Sequence, residues 1–253
     1  MTLQRWCFFA LTAASLVACS TAPSRPLAPP ADAAIAAPAH DNLNAVIWMQ
    51  TAAEYEAAVR GVYASARRSL DQALQDPSWN ALPEGEFVAG FEMKPVAIIV
   101  DADETFIDNS AFQARGVIED SGFTHEGWLK WVNAEAATAL PGAVAFAQYA
   151  DSRDVTIFYV TNRDAPDEVA ATVANLRKLG FPVAADASNV MLRGDARAPD
   201  REKGQRRRLI DRDYRVVLML GDNLGDFLDG INADVATRQA LMAPYADWWG
   251  VRW

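Results

Sequence analysis

A short apolar run that ends in a cluster of acidic residues constrains the fold of this chain more than any other stretch. Residues 96–100 are apolar and rich in β-branched side chains, which predicts a buried strand. Four acidic residues lie within the next eight positions: Asp101, Asp103, Glu104 and Asp108. Because ligands bind at the carboxyl ends of strands in open α/β sheets, charge at this place predicts a functional pocket.

Asp101 and Asp103 are the two acids that the strand would direct to one side, because side chains at i and i+2 share a face. Their mutual repulsion favours a bound cation, and carboxylate oxygens are ligands that suit Mg²⁺. An Asp-x-Asp pair also fits an ordinary acidic loop after a core strand. The interpretation therefore depends on the rest of the chain.

Two further apolar runs end in polar residues in the same way. Residues 155–160 run directly into Thr161, and residues 214–220 run into a glycine followed by Asp222. Such runs predict buried strands of an α/β fold. A hydroxyl at the end of one strand and a carboxylate at the end of another are suited to binding phosphate and metal.

Helical patterns lie between and before these strands. Apolar residues recur at helical spacing over 44–75, which predicts one long amphipathic helix or two. A helix is also expected over 124–139, with Trp128 and Trp131 on one face. Such rings can fill a core or stack on a ligand.

The string that begins at Asp101, Asp-Ala-Asp-Glu-Thr-Phe-Ile-Asp-Asn-Ser, resembles the first motif of the haloacid dehalogenase (HAD) superfamily. It looks most like the class C acid phosphatases, the lipoprotein branch of that superfamily. Residues 160–163 and 221–227 resemble the second and fourth motifs. The resemblance implies a Rossmann-like parallel sheet flanked by helices, with an N-terminal helical segment and a small helical cap at about 111–140.

The resemblance also implies a phosphomonoesterase mechanism. Asp101 would be the nucleophile that forms an aspartyl-phosphate, and Asp103 the general acid and base. Mg²⁺ would be held by Asp101, Asp103 and Asp222, with Asp103 supplying its backbone carbonyl. Asp226, one turn beyond Asp222, would orient the ligands or the phosphate-binding lysine.

Phosphate would be bound by Thr161, Asn162 and Lys203, as the resemblance implies. Arg201 is the alternative to Lys203, because spacing around this third motif varies. The arginines at 206–208 are expected to form a solvated face of a helix.

Trp128 and Tyr245 are the residues that the resemblance places beside the substrate. Aromatic faces there favour 5′-nucleotides and aryl phosphates over aliphatic esters. The interval between Asp226 and the tail is shorter than in the family, which leaves the position of Tyr245 open. His40 and His125 are expected to be structural or exposed.

The first 41 residues are predicted to be targeting and tether segments that lie outside the folded core. Residues 1–18 are typical of a secretory signal peptide, and the sequence before Cys19 resembles a bacterial lipobox. This implies a lipidated Cys19 and sorting to the outer membrane, while an ordinary signal peptide is the alternative. Residues 19–41, rich in proline and alanine, predict a tether that precedes a phosphatase domain at 42–253.

Composition narrows the range of partners. A formal net charge of −10 and a pI near 4.7 oppose binding to nucleic acid polymers, so a small phosphomonoester is the expected ligand. The lipid anchor would be the link to a membrane, and the oligomeric state is left open. Two rival functions remain: a phosphotransferase or mutase of the same superfamily, and a non-catalytic surface lipoprotein that binds a ligand.

Overall fold

The centre of the protein is a parallel β-sheet, seen in a computed structural model that describes residues 40–253. The predicted signal peptide, Cys19 and most of the predicted tether lie outside the described residues. In chain order the strands are β1 Val96–Val100, β2 Ile107–Asp108, β3 Thr138–Ala139, β4 Thr156–Asp164, β5 Val190–Arg193 and β6 Arg215–Leu220. The main sheet has the order β5-β4-β1-β6, with every neighbouring pair parallel.

Eight α-helices surround this sheet within the described residues. They are α1 Leu43–Thr51, α2 Ala53–Gln75, α3 Ser110–Ile118, α4 His125–Asn133, α5 Ala143–Asp151, α6 Val169–Leu179, α7 Gly204–Asp211 and α8 Val235–Met242. The predicted α/β class, with a parallel sheet flanked by helices, is confirmed. None of these helices combines the length and the apolar character needed to span a membrane.

The central strands are apolar because both faces of the sheet are covered. All six residues of β6 are buried, as are four of the five in β1. Alternate residues of β1 enter different cores: Ile98 packs with α2 and α5, and Ile99 packs with Phe227 and Trp253. Parallel strands in this position need continuous apolar runs, which is the pattern that the sequence carries.

The predicted N-terminal helical pattern forms two helices and not one. The chain breaks at Ala52, whose backbone is extended, and α2 then runs for 23 residues. Tyr63 and Leu70 on α2 are buried, and the ring of Tyr63 contacts Phe106 and Phe146. This packing places α2 against the segment that follows β1.

The expected cap interval, residues 111–140, contains most of α3, all of α4 and the strand β3, which pairs antiparallel with β2 just before the interval. Helix α4 begins after Thr124, whose hydroxyl accepts the Gly127 N–H. It ends at Asn133 and not near residue 139. Glu135 has a positive φ of 47°, and the chain then leaves the helix to form β3.

Candidate active site

The carboxyl ends of β1 and β6 bring three carboxylates together. The backbone N–H of Asp101 donates to the carbonyl of Leu220, which ties the end of β1 to the end of β6. Carboxylate oxygens of Asp101, Asp222 and Asp226 lie within 4.8 Å of one another. Asp101 and Asp226 are buried, and Asp222 is exposed at the rim.

Lys203 supplies a positive charge to this group. It is buried immediately before α7, and its Nζ lies 2.5 Å from Asp101 Oδ1 and 2.6 Å from Asp226 Oδ1. Arg201, the alternative from the sequence, is exposed, and its carbonyl accepts a hydrogen bond from Arg206. The structure therefore brings Lys203, and not Arg201, to Asp101.

The acidic group carries more negative charge than one lysine balances. Burial raises the pKa of Asp101, and although Lys203 opposes this change, Asp226 and Asp103 add to it. Loss of solvation around the Asp222 carboxylate, with Asp226 beside it, raises its pKa to about 6. Burial lowers the pKa of Lys203, but Asp101 and Asp226 outweigh it and raise that pKa.

These carboxylates fit a divalent cation. Asp226 already uses Oδ1 for Lys203 and Oδ2 for the Asn223 N–H, so it is occupied within the protein. Asp101 and Asp222 have oxygens left for an ion. A hard cation with oxygen ligands would offset the excess charge that raises the pKa values here.

Asp103 lies close enough to raise the pKa of Asp101, yet its carboxylate binds other partners. Arg163 forms a two-pronged ion pair with it, with Nη2 2.8 Å from Oδ1. Asn109 Nδ2 donates to Oδ1 at 2.8 Å, and Thr161 Oγ1 lies 3.3 Å from Oδ2. The sequence motifs predict no role for Arg163 or Asn109.

Arg206 on α7 holds the second half of β4 in place. Arg206 Nη1 donates to the carbonyl of Thr161 at 2.6 Å, and its Nη2 donates to Asn162 Oδ1 at 2.9 Å. Arg206 and Arg207 are fully buried, so the prediction of a solvated face at 206–208 is wrong for both. Their guanidinium groups find carbonyl and carboxylate partners, such as Glu86 for Arg207, that only the tertiary fold supplies.

The two predicted aromatic residues have different surroundings. Trp128 is half-buried on α4, and its indole N–H donates to Glu168 at 3.1 Å. Its ring also lies over the Arg163 guanidinium, 5.4 Å from centroid to Cζ. The structure does not bring Tyr245 to this group: its ring packs on Trp248 and Trp253 in a separate surface pocket.

In a second cluster of possible metal ligands, one carboxylate is already paired with an arginine. His125, Asp164 and Glu168 offer atoms within 4.8 Å of one another. Asp164 is, however, bound by the Arg193 guanidinium through both of its oxygens. As expected from the sequence, His125 is exposed.

A parallel sheet that presents a nucleophile-like aspartate, a lysine and a second acid at its carboxyl edge defines a phosphate-processing enzyme of the HAD type. Known proteins agree with this class. A family model described as HAD superfamily, subfamily IIIB (acid phosphatase), matches residues 13–248. The chain therefore belongs to the subfamily IIIB acid phosphatases, which confirms the resemblance seen in the sequence.

Solved structures support the same family. Two structures of the class C acid phosphatase from Bacillus anthracis, one with tungstate bound, superpose with a TM-score of 0.71. Each is 31% identical and covers 85% of this chain and 82% of that chain. The protein is thus a phosphomonoesterase, and enzymes of this superfamily generally use a divalent metal ion.

Proposed function

We propose that this protein is a Mg²⁺-dependent acid phosphatase that hydrolyses small phosphomonoesters, with 5′-nucleotides as preferred substrates. The contact of Lys203 with Asp101, at the edge where β1 and β6 end, is the observation that carries this proposal. A buried carboxylate beside an ammonium group is suited to attack an anionic phosphate, since the lysine balances charge on both.

In the first step, an Asp101 oxygen attacks phosphorus and the ester P–O bond breaks. Its electron pair stays on the leaving oxygen, which takes a proton from Asp103. In the second step, Asp103 takes a proton from water, whose oxygen attacks phosphorus. The bond between phosphorus and the Asp101 oxygen breaks, which releases inorganic phosphate and restores the Asp101 carboxylate. Thr161, Asn162 and Lys203 would hold the phosphoryl oxygens throughout.

Mg²⁺ would be held by Asp101, Asp222 and the backbone carbonyl of Asp103. When bound, it would offset negative charge on the nucleophile and the phosphoryl group. Asp226 supports this arrangement because it fixes Lys203 by an ion pair of 2.6 Å.

Phe112, Phe123 and Trp128 form an aromatic cluster on the cap, which supports a preference for leaving groups that carry an aromatic ring. Trp128 packs beside Phe123, which is 69% exposed and was not selected from the sequence. Stacking on such faces is worth about 1–3 kcal/mol per base. We expect Phe123→Ala to reduce kcat/KM for a 5′-nucleotide and not for glycerol phosphate, and equal losses would contradict the preference.

We also propose that a lipid on Cys19 anchors the enzyme to the outer membrane through the tether at 19–41. The lipobox-like sequence is the support for this location. Cell fractionation tests it: the native protein is expected with membranes, and Cys19→Ser is expected not to be processed by the lipoprotein route. Native protein found wholly in the soluble fraction contradicts the anchor.

The decisive test of the function is Asp101→Asn, which removes the nucleophile with little change in shape. We expect kcat to fall by roughly 10³-fold or more. Thermal unfolding should change little, because Lys203 keeps its ion pair with Asp226. The matched control is Asp154→Asn, an exposed position with a positive φ of 57° that asparagine tolerates. A folded Asp101→Asn variant with near-native hydrolysis would refute the mechanism.

The same assay separates the two rival functions. Release of inorganic phosphate without an added acceptor alcohol distinguishes a phosphatase from a phosphotransferase or mutase. Ligand binding in the presence of Mg²⁺ without turnover would instead indicate a non-catalytic binding protein.

A further inference from the structure

Two side chains from different parts of the chain, here called arms, donate hydrogen bonds to the Asp103 carboxylate. The first arm is Arg163, which is 3% exposed and contacts both carboxylate oxygens. Its Nη1 donates to Thr172 Oγ1 at 3.1 Å, which fixes the guanidinium against α6. A planar guanidinium that binds a carboxylate through two N–H groups sets its orientation as well as its position.

The second arm is Asn109, which is fully buried. Its Nδ2 donates to Asp103 Oδ1, and its own Oδ1 accepts the indole N–H of Trp131 at 2.8 Å. This contact fixes which way the amide faces, because only the NH₂ group can then turn toward Asp103. The arm thus runs from the cap to the carboxylate through two hydrogen bonds.

Both arms are supported by the same cap helix, α4. Trp131 supports Asn109, and Trp128 covers the Arg163 guanidinium with its ring. The two tryptophans are three positions apart, so they lie on one face of the helix. Helix α4 therefore touches both groups that bind Asp103.

The two oxygens of Asp103 are left in different states by these contacts. Oδ1 accepts N–H groups from Arg163 and Asn109, both at 2.8 Å. Oδ2 has the Arg163 Nε at 3.1 Å and the Thr161 hydroxyl at 3.3 Å. Oδ2 is thus the less occupied oxygen, and it faces Thr161, the residue of β4 that would bind phosphate.

We infer that Arg163 and Asn109 are positioning residues for the reaction, which hold Asp103 by Oδ1 and present Oδ2 to the leaving-group oxygen. Helix α4 sets this geometry through Trp128 and Trp131. The inference rests on the proposed role of Asp103 as general acid. In that step the proton passes from Oδ2 to the leaving oxygen as that oxygen keeps the electron pair of the broken P–O bond.

The test uses substrates that differ in their need for a proton. A glycerol phosphate leaving group needs protonation, whereas 4-nitrophenolate leaves as a stable anion. We expect Arg163→Lys to lower kcat/KM for glycerol phosphate by about 100-fold, and for 4-nitrophenyl phosphate by less than about threefold. A residue with a merely structural role would lower both values equally.

A second variant keeps the test valid if Arg163→Lys does not fold. Trp131→Phe keeps an aromatic ring at this position but removes the indole N–H that fixes Asn109, so a smaller loss of about tenfold in kcat/KM is expected for glycerol phosphate alone. The matched control is Arg193→Lys, which alters a neighbouring ion pair with Asp164. It is expected to leave both substrates unaffected.

Asp103→Asn, measured alongside, separates failure of this inference from failure of the proposed function. If Asp103→Asn lowers kcat/KM equally for the two substrates, Asp103 is not the general acid and the proposed mechanism fails. If Asp103→Asn lowers kcat/KM more for glycerol phosphate than for 4-nitrophenyl phosphate, while Arg163→Lys and Trp131→Phe lower both equally, only the positioning role is overturned. An equal loss in Arg163→Lys together with weaker inhibition by inorganic phosphate would assign Arg163 to phosphate binding.

Discussion

At the scale of single residues, Lys203 controls the charge balance of the catalytic edge. Its ammonium group contacts Asp101 and Asp226, and all three residues are buried. Removing one partner of a buried ion pair is costly, because the remaining charge stays desolvated without compensation. Lys203 therefore contributes to stability as well as to the proposed binding of phosphate.

Lys203→Met is expected to lower the free energy of unfolding by about 3 kcal/mol in metal-free protein at pH 8. It is also expected to reduce kcat by about 100-fold or more, since in the proposed mechanism the ammonium group stabilises the phosphoryl oxygens. Urea unfolding and steady-state kinetics measure the two effects. Lys178→Met, at an exposed lysine on α6, serves as the control; a similar loss there would show that the effect is not specific to the site.

At the scale of elements, the turn after β6 places Asp226 under the end of the strand. A side chain added at Gly221 would have its Cβ 2.1 Å from Asp226 Oδ2 and 2.4 Å from Asp226 Cβ. Only glycine leaves room for Asp226 in this turn. The Gly-Asp sequence after β6 therefore serves the ion pair of Lys203 as well as the carboxylate of Asp222.

Gly221→Ala is expected to displace Asp226, to destabilise the fold by roughly 1–3 kcal/mol and to abolish most activity. The control is Gly61→Ala in α2, where an added Cβ meets nothing within 4 Å. Helix propensity predicts that this control gains up to about 1 kcal/mol. Differential scanning calorimetry distinguishes the two variants, and an unchanged, active Gly221→Ala would contradict the packing described here.

At the scale of the whole molecule, the clustered carboxylates link stability to pH and metal. Burial, and then Asp103, raise the pKa of Glu104 to about 7, and that of Asp222 is about 6. The folded protein thus binds protons more tightly than the unfolded chain, in which these pKa values are about 4. Between about pH 4 and 7, stability from these groups falls as pH rises. A hydrogen bond from Arg193 lowers the pKa of Asp164, so this residue affects stability only below that pH range.

The melting temperature of EDTA-treated protein is therefore expected to fall as pH rises from 5 to 8. Mg²⁺ should restore it, and more strongly at pH 8, because ionised carboxylates bind the ion best and binding to the folded state stabilises it. Thermal unfolding at matched ionic strength, with K⁺ as the control ion, measures both effects. A melting temperature that changes with neither pH nor Mg²⁺ would contradict a metal site at this edge.

The sequence by itself determined the strands and the residues at their ends. Apolar runs followed by Asp101, Thr161 and Asp222 are local patterns, and periodicity along a strand is enough to recognise them. Family membership followed from the same motifs. The placement of these residues at one edge of a parallel sheet agrees with that prediction.

Only the tertiary structure decided which charged groups meet. Lys203 lies over 100 positions from Asp101, and Arg163 lies 60 from Asp103, so neither contact leaves a local pattern in the chain. The burial of Arg206 likewise depends on carbonyl acceptors from β4. The position of Tyr245 followed the packing of the tail against β6. Such contacts join side chains that are brought together only when the sheet forms, because a charged residue becomes buried only where the fold supplies its partners.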